Sequence, residues 1–486
     1  MDNRFKLDFL KGSVATSMGT MSSIVFHFIS VMIMTRYLPK NEFGLYILIL
    51  VIVHCLTILG GLGLDLTLVK FITGETATEK HSVFWHIVTA RVIFLGFLGV
   101  TVFLIGHLLV SFVDKRVEDY LLLIPIMFLA SSFRDLFYST LQGLKQFTKY
   151  ASVQTLSAIM RFLLIVVFLK LDHLSVRTLI YIEIFVPLCS ITAQLILIPF
   201  NLIPRFKLSV EKFTRVIRFG IPLYLNSILT LVIDRANIFI IGAFLTLESI
   251  AIYDVADKIP QGFVRIFRSF IIVYFPNLSK LFSDGKEADA QKIINRSLVL
   301  FSFGISLAVF FVFLFRKEII LLLFSESYLG ASLALPLLMF NFYLRAISNI
   351  MGYSLVSAGY SSVPVKTNTV SSATLIAGSF VAIPLFGIMG AICSLLLMNI
   401  VSQTIYYYYF LKFGIKVGAL RYLKPLFLML ILSGAYTLLG MEALFLKLAF
   451  LLAYICICRV IVDEFSIITD MFGKLIHHLR PASQKN

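Results

Sequence analysis

The stretch Phe219–Pro276, FGIPLYLNSILTLVIDRANIFIIGAFLTLESIAIYDVADKIPQGFVRIFRSFIIVYFP, decides the fold. It is apolar enough to enter a bilayer, yet it carries Asp234, Arg235, Asp254, Asp257, Lys258, Arg265 and Arg268. On a helix, Asp254, Asp257, Lys258, Gln261, Arg265 and Arg268 share an arc of roughly 100°, with Ile259, Phe263, Ile266, Phe267 and Phe270 opposite. At 1.5 Å per residue, Asp254 to Arg268 covers about 21 Å, most of a hydrocarbon core. Charges at that depth face a bundle interior or a water-filled cavity. The segment therefore reads as a membrane helix lining a cationic cavity. A helix lying flat in the interface is the alternative.

The flanking sequence extends that reading to the whole chain. Apolar residues make up 59% of the 486 residues and charged residues 14%, against about 45–50% and 25% in soluble domains. Apolar runs of about 20 residues recur from end to end, separated by short polar breaks. The expected fold is an all-α integral membrane protein of about fourteen spans: two pseudo-symmetric six-helix lobes plus two C-terminal helices. The expected layout is an N-terminal lobe over 1–200, a cytoplasmic linker over 201–218, a C-terminal lobe over 219–411, two extra spans over 412–463 and a tail over 464–486. With the N-terminus inside, the cytoplasmic connections and both termini hold 24 of the 42 Lys and Arg residues, as the positive-inside rule requires. The net charge of +16 is thus explained by topology, without nucleic acid.

The two lobes show traces of a repeat. Leu38-Pro39-Lys40-Asn41-Glu42-Phe43-Gly44-Leu45-Tyr46 aligns with Leu245-Thr246-Leu247-Glu248-Ser249-Ile250-Ala251-Ile252-Tyr253 at an offset of 207. Pro125 and Arg134 match Pro336 and Arg345 at an offset of 211. Parallel repeats of this kind are expected to hold substrate between them.

Within the expected spans stand nine cations, Arg91, Arg134, Arg161, Arg235, Lys258, Arg265, Arg268, Arg345 and Arg459, against six acids, Asp65, Asp135, Glu183, Asp234, Asp254 and Asp257. A positive interior suits an anionic guest, and arginine's planar fork fits phosphate or carboxylate. Arg91, Arg134, Arg235, Lys258, Arg265, Arg268 and Arg345 are the candidate substrate-binding residues. His27, Asp234, Asp254 and Asp257 are candidates for a coupling H+ or Na+. Buried ion pairing, such as Arg134 with Asp135, is the competing role. Ser131, Arg134, Asp135, Tyr138 and Gln142 form a polar stripe on one span. Gly60-Gly61-Leu62-Gly63 before Asp65 reads as a close helix contact or a break.

Nucleotide-binding, hydrolase and zinc motifs are missing from the sequence, so no ATPase, enzyme or metal centre is expected. The five cysteines all fall in apolar segments and read as packing residues. The basic tail, with Lys474, His477, His478 and Arg480, reads as a membrane-surface helix.

Thr35 to Tyr46, the run Leu59 to Leu64 followed by Val69-Lys70-Phe71-Ile72, Ile221-Pro222 and Ala251-Ile252-Tyr253 together resemble a known family. It is the bacterial O-antigen and exopolysaccharide flippases of the multidrug/oligosaccharidyl-lipid/polysaccharide exporter superfamily. The resemblance implies alternating access between two lobes. It also implies an undecaprenyl-diphosphate-linked oligosaccharide as substrate, membrane lipids as surroundings, and a polysaccharide polymerase and chain-length regulator as partners. The implied location is the bacterial cytoplasmic (inner) membrane. Rival readings are an ion-coupled multidrug/cation antiporter, a peptidoglycan lipid-precursor flippase and a membrane glycosyltransferase or polymerase. The positive interior argues against the first, and the short outward connections argue against the last.

Overall fold

The structure, a computed structural model, describes residues 3–74, 77–110, 114–198, 209–440 and 443–461, and these contain helices and no strand. The first helices are α1 (Asn3–Tyr37), α2 (Lys40–Gly61), a short α3 (Leu64–Gly74), α4 (Ala77–Val110) and α5 (Leu123–Gly143). They are followed by α6 (Phe147–Lys170), α7 (Val176–Leu197), α8 (Val210–Phe244) and α9 (Leu247–Ser283). Then come α10 (Glu287–Leu314), a short α11 (Arg316–Leu323), α12 (Ala334–Ser357) and α13 (Ser362–Phe386). The last are α14 (Ile388–Lys412), α15 (Ala419–Leu439) and α16 (Leu444–Ile461). Among the described residues, eleven helices are long and apolar enough to cross a membrane. α5 and α9 have the length as well, but Arg134 and Asp135 in one, and the charges from Asp254 to Arg268 in the other, dilute their apolar character. The chain is a multi-pass helical membrane protein.

Packing divides it into two compact units, Met1–Asp254 and Val255–Asn486, with the boundary inside α9. Of the linker expected over 201–218, residues 201–208 lie outside the described residues, as does all of the tail over 464–486.

The internal repeat is written into the helix boundaries. α2 starts at Lys40 and α9 at Leu247, 207 residues apart, the offset of the aligned motifs. A 3₁₀ turn starts at Lys115 and another at Glu326, 211 apart, and the helices that follow, α5 and α12, start 211 apart at Leu123 and Ala334. Two short sequence alignments thus become offsets shared by three pairs of chain landmarks.

In the first unit, α1 packs along α6, α7 packs on α5 and α6, and α8 packs on α2, α3 and α4. The glycine cluster does both things expected of it. Leu62 (φ 47°) and Gly63 (φ 67°) enter the left-handed region and break the chain between α2 and α3. A methyl group on Gly63 would sit 2.5 Å from the Gly220 carbonyl oxygen of α8. Gly63→Ala is therefore expected to lose about 1–3 kcal/mol from the left-handed strain and the backbone clash together. Thermal unfolding in detergent checks this, and an unchanged transition would show that α8 crosses less closely.

In the second unit, the apolar face of α9 meets aromatic partners. Phe267 and Phe270 pack on Phe301 of α10, the latter at 4.2 Å between ring centroids, and Phe263 and Phe267 pack on Phe342 of α12. Arg265 and Arg268, on the other face, are exposed. The phenylalanines of α9 thus pack inward away from Arg265 and Arg268, whereas Ile266, expected beside them, is exposed and Asp254, expected on the charged face, is buried. α15 and α16 fasten to α10, where Ser302 donates to the Tyr422 carbonyl and Ser306 pairs with the Tyr454 hydroxyl at 2.6 Å. Buried Lys447 of α16 pairs with Glu318 of α11.

Candidate functional site

The charged side chains within the spans of the first unit include two enclosed groups, one partly exposed pair and one cluster. In the first group, Arg161 of α6 is the hub. Its Nε donates to Glu183 Oε1 of α7 at 2.6 Å, its Nη2 to the Tyr46 hydroxyl of α2 at 2.6 Å, and its Nη1 meets His27 Nδ1 of α1 at 2.7 Å. Tyr46 in turn donates to Glu183 at 2.7 Å. Arginine has donors only, so Nδ1 of His27 is the acceptor in that contact. One guanidinium joins four helices.

The second group holds Arg91. Its guanidinium grips Asp65 of α3 through both oxygens, at 2.5 and 3.2 Å, and its Nε donates to Ser132 of α5 at 2.9 Å. Arg91 is 0% exposed. The third group is Arg134 with its neighbour Asp135, at 2.8 Å. Both remain about a third exposed. The ion pair weighed for these two from the sequence is present.

The cluster surrounds His54 on α2. α5, which carries Arg134 and Asp135, and α8, which carries Asp234 and Arg235, both pack on α2. His54 and Asp234 are exposed, and Arg235 is half-buried with a buried Nε that has no hydrogen-bond partner among the described residues. His54 was absent from the candidates read from sequence. From Ile47 to Val53 α2 is wholly apolar, and the imidazole that follows that run was the available signal.

In the second unit, α9 presents Asp257, which accepts from Gln261 at 2.7 Å, and half-buried Lys258, before the exposed Arg265 and Arg268. Asp254, the last residue of the first unit, is 2% exposed. Arg345 is half-buried on α12. Nearby on that helix, Asn341 accepts from Asn399 of α14 at 2.7 Å, and Gln403 of α14 donates to the Leu344 carbonyl at 3.0 Å. No group of metal-ligating side chains occurs among the described residues.

These pairs sharpen the charge count. Asp65, Asp135 and Glu183 are matched with Arg91, Arg134 and Arg161. Three acids and three arginines cancel, and Lys447 of α16, which that count left out, is paired with Glu318 of α11, so the excess of three positive charges rests on α8, α9, α12 and α16. Guanidinium groups such as these can attract an anion and hold it by paired hydrogen bonds.

A family model described as "Polysaccharide biosynthesis protein" matches residues 9–282. The "Capsular polysaccharide biosynthesis protein CapF" of Staphylococcus aureus is 26% identical over 139 residues, 28% of this chain and 35% of that one. The "Probable low-salt glycan biosynthesis flippase Agl15" of Haloferax volcanii is 22% identical over 213 residues, 43% of this chain and 45% of that one. The matched part thus spans less than half the length of either relative. Among solved structures, "Lipid II flippase MurJ, inward closed conformation" superposes with a TM-score of 0.75 at 14% identity, covering 94% of this chain and 100% of that one. An inward-facing multidrug resistance MATE family transporter of the MOP superfamily follows at 0.64 and 13% identity, covering 83% and 98%. At such identities the likeness establishes the fold.

Proposed function

Because this chain belongs to the polysaccharide biosynthesis protein family, we propose that it is a flippase for a lipid-linked oligosaccharide, carrying no covalent chemistry. The substrate class is a polyprenyl-diphosphate-linked glycan repeat unit, with undecaprenyl diphosphate as the carrier, moved across the bacterial cytoplasmic membrane by alternating access. One observation carries the reading: after the ion pairs cancel, the intramembrane charge remains three positive, where a carrier of cations would favour the opposite sign. Arg134 and Arg235 in the first unit, and Lys258, Arg265, Arg268 and Arg345 in the second, attract and hold the diphosphate. Arg91, enclosed by Asp65 and Ser132, supports the junction of α3, α4 and α5. His27, Asp234, Asp254 and Asp257 are the residues assigned to a coupling H+ or Na+. Both termini are assigned to the cytoplasm, and a polymerase and chain-length regulator would receive the flipped product.

The test is a flipping assay in reconstituted vesicles with an undecaprenyl-diphosphate-linked oligosaccharide. Arg265→Ala and Arg345→Ala, at matched protein levels, are expected to slow flipping roughly 10- to 100-fold, the worth of one charge-assisted hydrogen bond. Lysine at either position should recover only part of the rate, since it lacks the planar fork. Normal flipping by both alanine variants would remove these arginines from the binding site. Export of cationic drugs in place of flipping would move the protein to the antiporter branch.

A further inference from the structure

Between α5, α6 and α7 lies a polar group that none of the ion pairs uses. Tyr138 of α5 and Tyr150 of α6 are half-buried, with ring centroids 5.0 Å apart in an edge-to-face arrangement of 61°. The Tyr138 hydroxyl accepts from Ser190 of α7 at 3.4 Å. Ser190 is 2% exposed, and Gln194, one turn further along the same face of α7, is 0% exposed. Neither Nε2 nor Oε1 of Gln194 finds a hydrogen-bond partner among the described residues, and the buried Oε1 of Gln154 on α6 finds none either.

A fully buried amide with both ends unmatched is a cost that folds ordinarily remove, because apolar residues of the same volume fit such places better. Tyrosine pairs beside an amide offer what a pyranose ring needs. The amide donates to one hydroxyl and accepts from another, and the aromatic faces cover the ring's apolar edge. Arg134 stands one turn before Tyr138 on the same face of α5, and Tyr138 in turn packs on Tyr150. An anion site and a sugar site therefore adjoin on one helix, as the phosphate and first sugar adjoin in a glycosyl diphosphate.

From these contacts we infer that Tyr138, Tyr150, Gln154, Ser190 and Gln194 form a binding subsite for a pyranoside attached to a diphosphate, with Arg134 at its phosphate end. The inference rests on the flippase reading and adds where the sugar of that substrate is held.

The experiment uses the full chain in lipid nanodiscs and two probes, undecaprenyl diphosphate alone and the same lipid carrying a neutral disaccharide. Each affinity is measured by calorimetry. For wild type, the glycan is expected to tighten binding about tenfold, the yield of one or two added hydrogen bonds. In Gln194→Met the ratio of the two affinities should fall to about one while the unfolding temperature holds or rises, since methionine needs no partners. Tyr150→Ala should lower the ratio in the same way, whereas Arg134→Ala should weaken both lipids and keep the ratio. A preserved ratio in Gln194→Met overturns the subsite, and so does a lowered unfolding temperature, which would make the glutamine a structural group. Wild type binding both lipids equally overturns the subsite and leaves the flippase reading standing. Binding of neither lipid removes both.

Discussion

Replacing Arg161 with leucine is expected to destabilise the protein by about 3–5 kcal/mol, the usual result of removing one partner from a buried ion pair. Glu183 would keep its charge with only the Tyr46 hydroxyl left to match it, and its side chain is 18% exposed. Whole domains are stable by about 5–15 kcal/mol, so such a loss removes much of the folded population. Leucine at both positions, Arg161→Leu with Glu183→Leu, should recover most of the loss, because two apolar side chains need no compensation. Tyr46→Phe should cost less, about 1.5–3 kcal/mol, because it removes hydrogen bonds to two charged groups that still have each other. Thermal unfolding of the four proteins in one detergent tests the series. A single leucine variant as stable as wild type would mean that Glu183 is solvated and that the four helices are held together by packing alone.

This network also shows where sequence reading stops. Arg161 and Glu183 were both recognisable as intramembrane charges, but their pairing joins α6 to α7 across 22 residues, and the partners Tyr46 and His27 lie 115 and 134 residues away from Arg161. Nothing in a helical period reports a contact of that range. Features confined to one helix or one turn were legible: the phenylalanine face of α9 set apart from Arg265 and Arg268, the Arg134–Asp135 pair, and the break at Leu62 and Gly63. The repeat was legible because its offsets are local comparisons made twice. Arg91 marks the boundary between the two kinds of information. Its depth could be read from the apolar run around it, but its enclosure by Asp65 and Ser132 depends on how α3, α4 and α5 come together. His54 escaped notice for the same reason, since the charged helices α5 and α8 that pack on α2 come from elsewhere in the chain.

Gly44→Ala is expected to cost about 1–3 kcal/mol, and Gly44→Leu to yield little folded protein, because the added carbon has no space to enter. A methyl group there would fall inside the van der Waals radius of the Leu247 carbonyl oxygen and against its carbonyl carbon. Both obstacles are backbone, so no rotamer change relieves them, and the starts of α2 and α9 would have to move apart. That seam also carries the Lys40–Glu248 ion pair at 3.3 Å, between residues with the exposure of a surface pair and hence little stabilising weight. The duplication makes the comparison sharper. The counterpart of Gly44 at the 207-residue offset is Ala251, whose methyl group is fully buried, so the second copy accommodates what the first excludes. Ala251→Gly should accordingly lose only about 1 kcal/mol, the ordinary helical penalty of glycine. Tyr46 stands two residues beyond Gly44 on α2, so a shift of this helix also pulls its hydroxyl from Glu183 and Arg161. The combined Gly44→Ala and Tyr46→Phe variant should therefore lose less than the sum of the single losses, since the first change already breaks what the second removes. Strict additivity in that cycle would show that the clash is absorbed at the turn before α9 and never reaches the charged network.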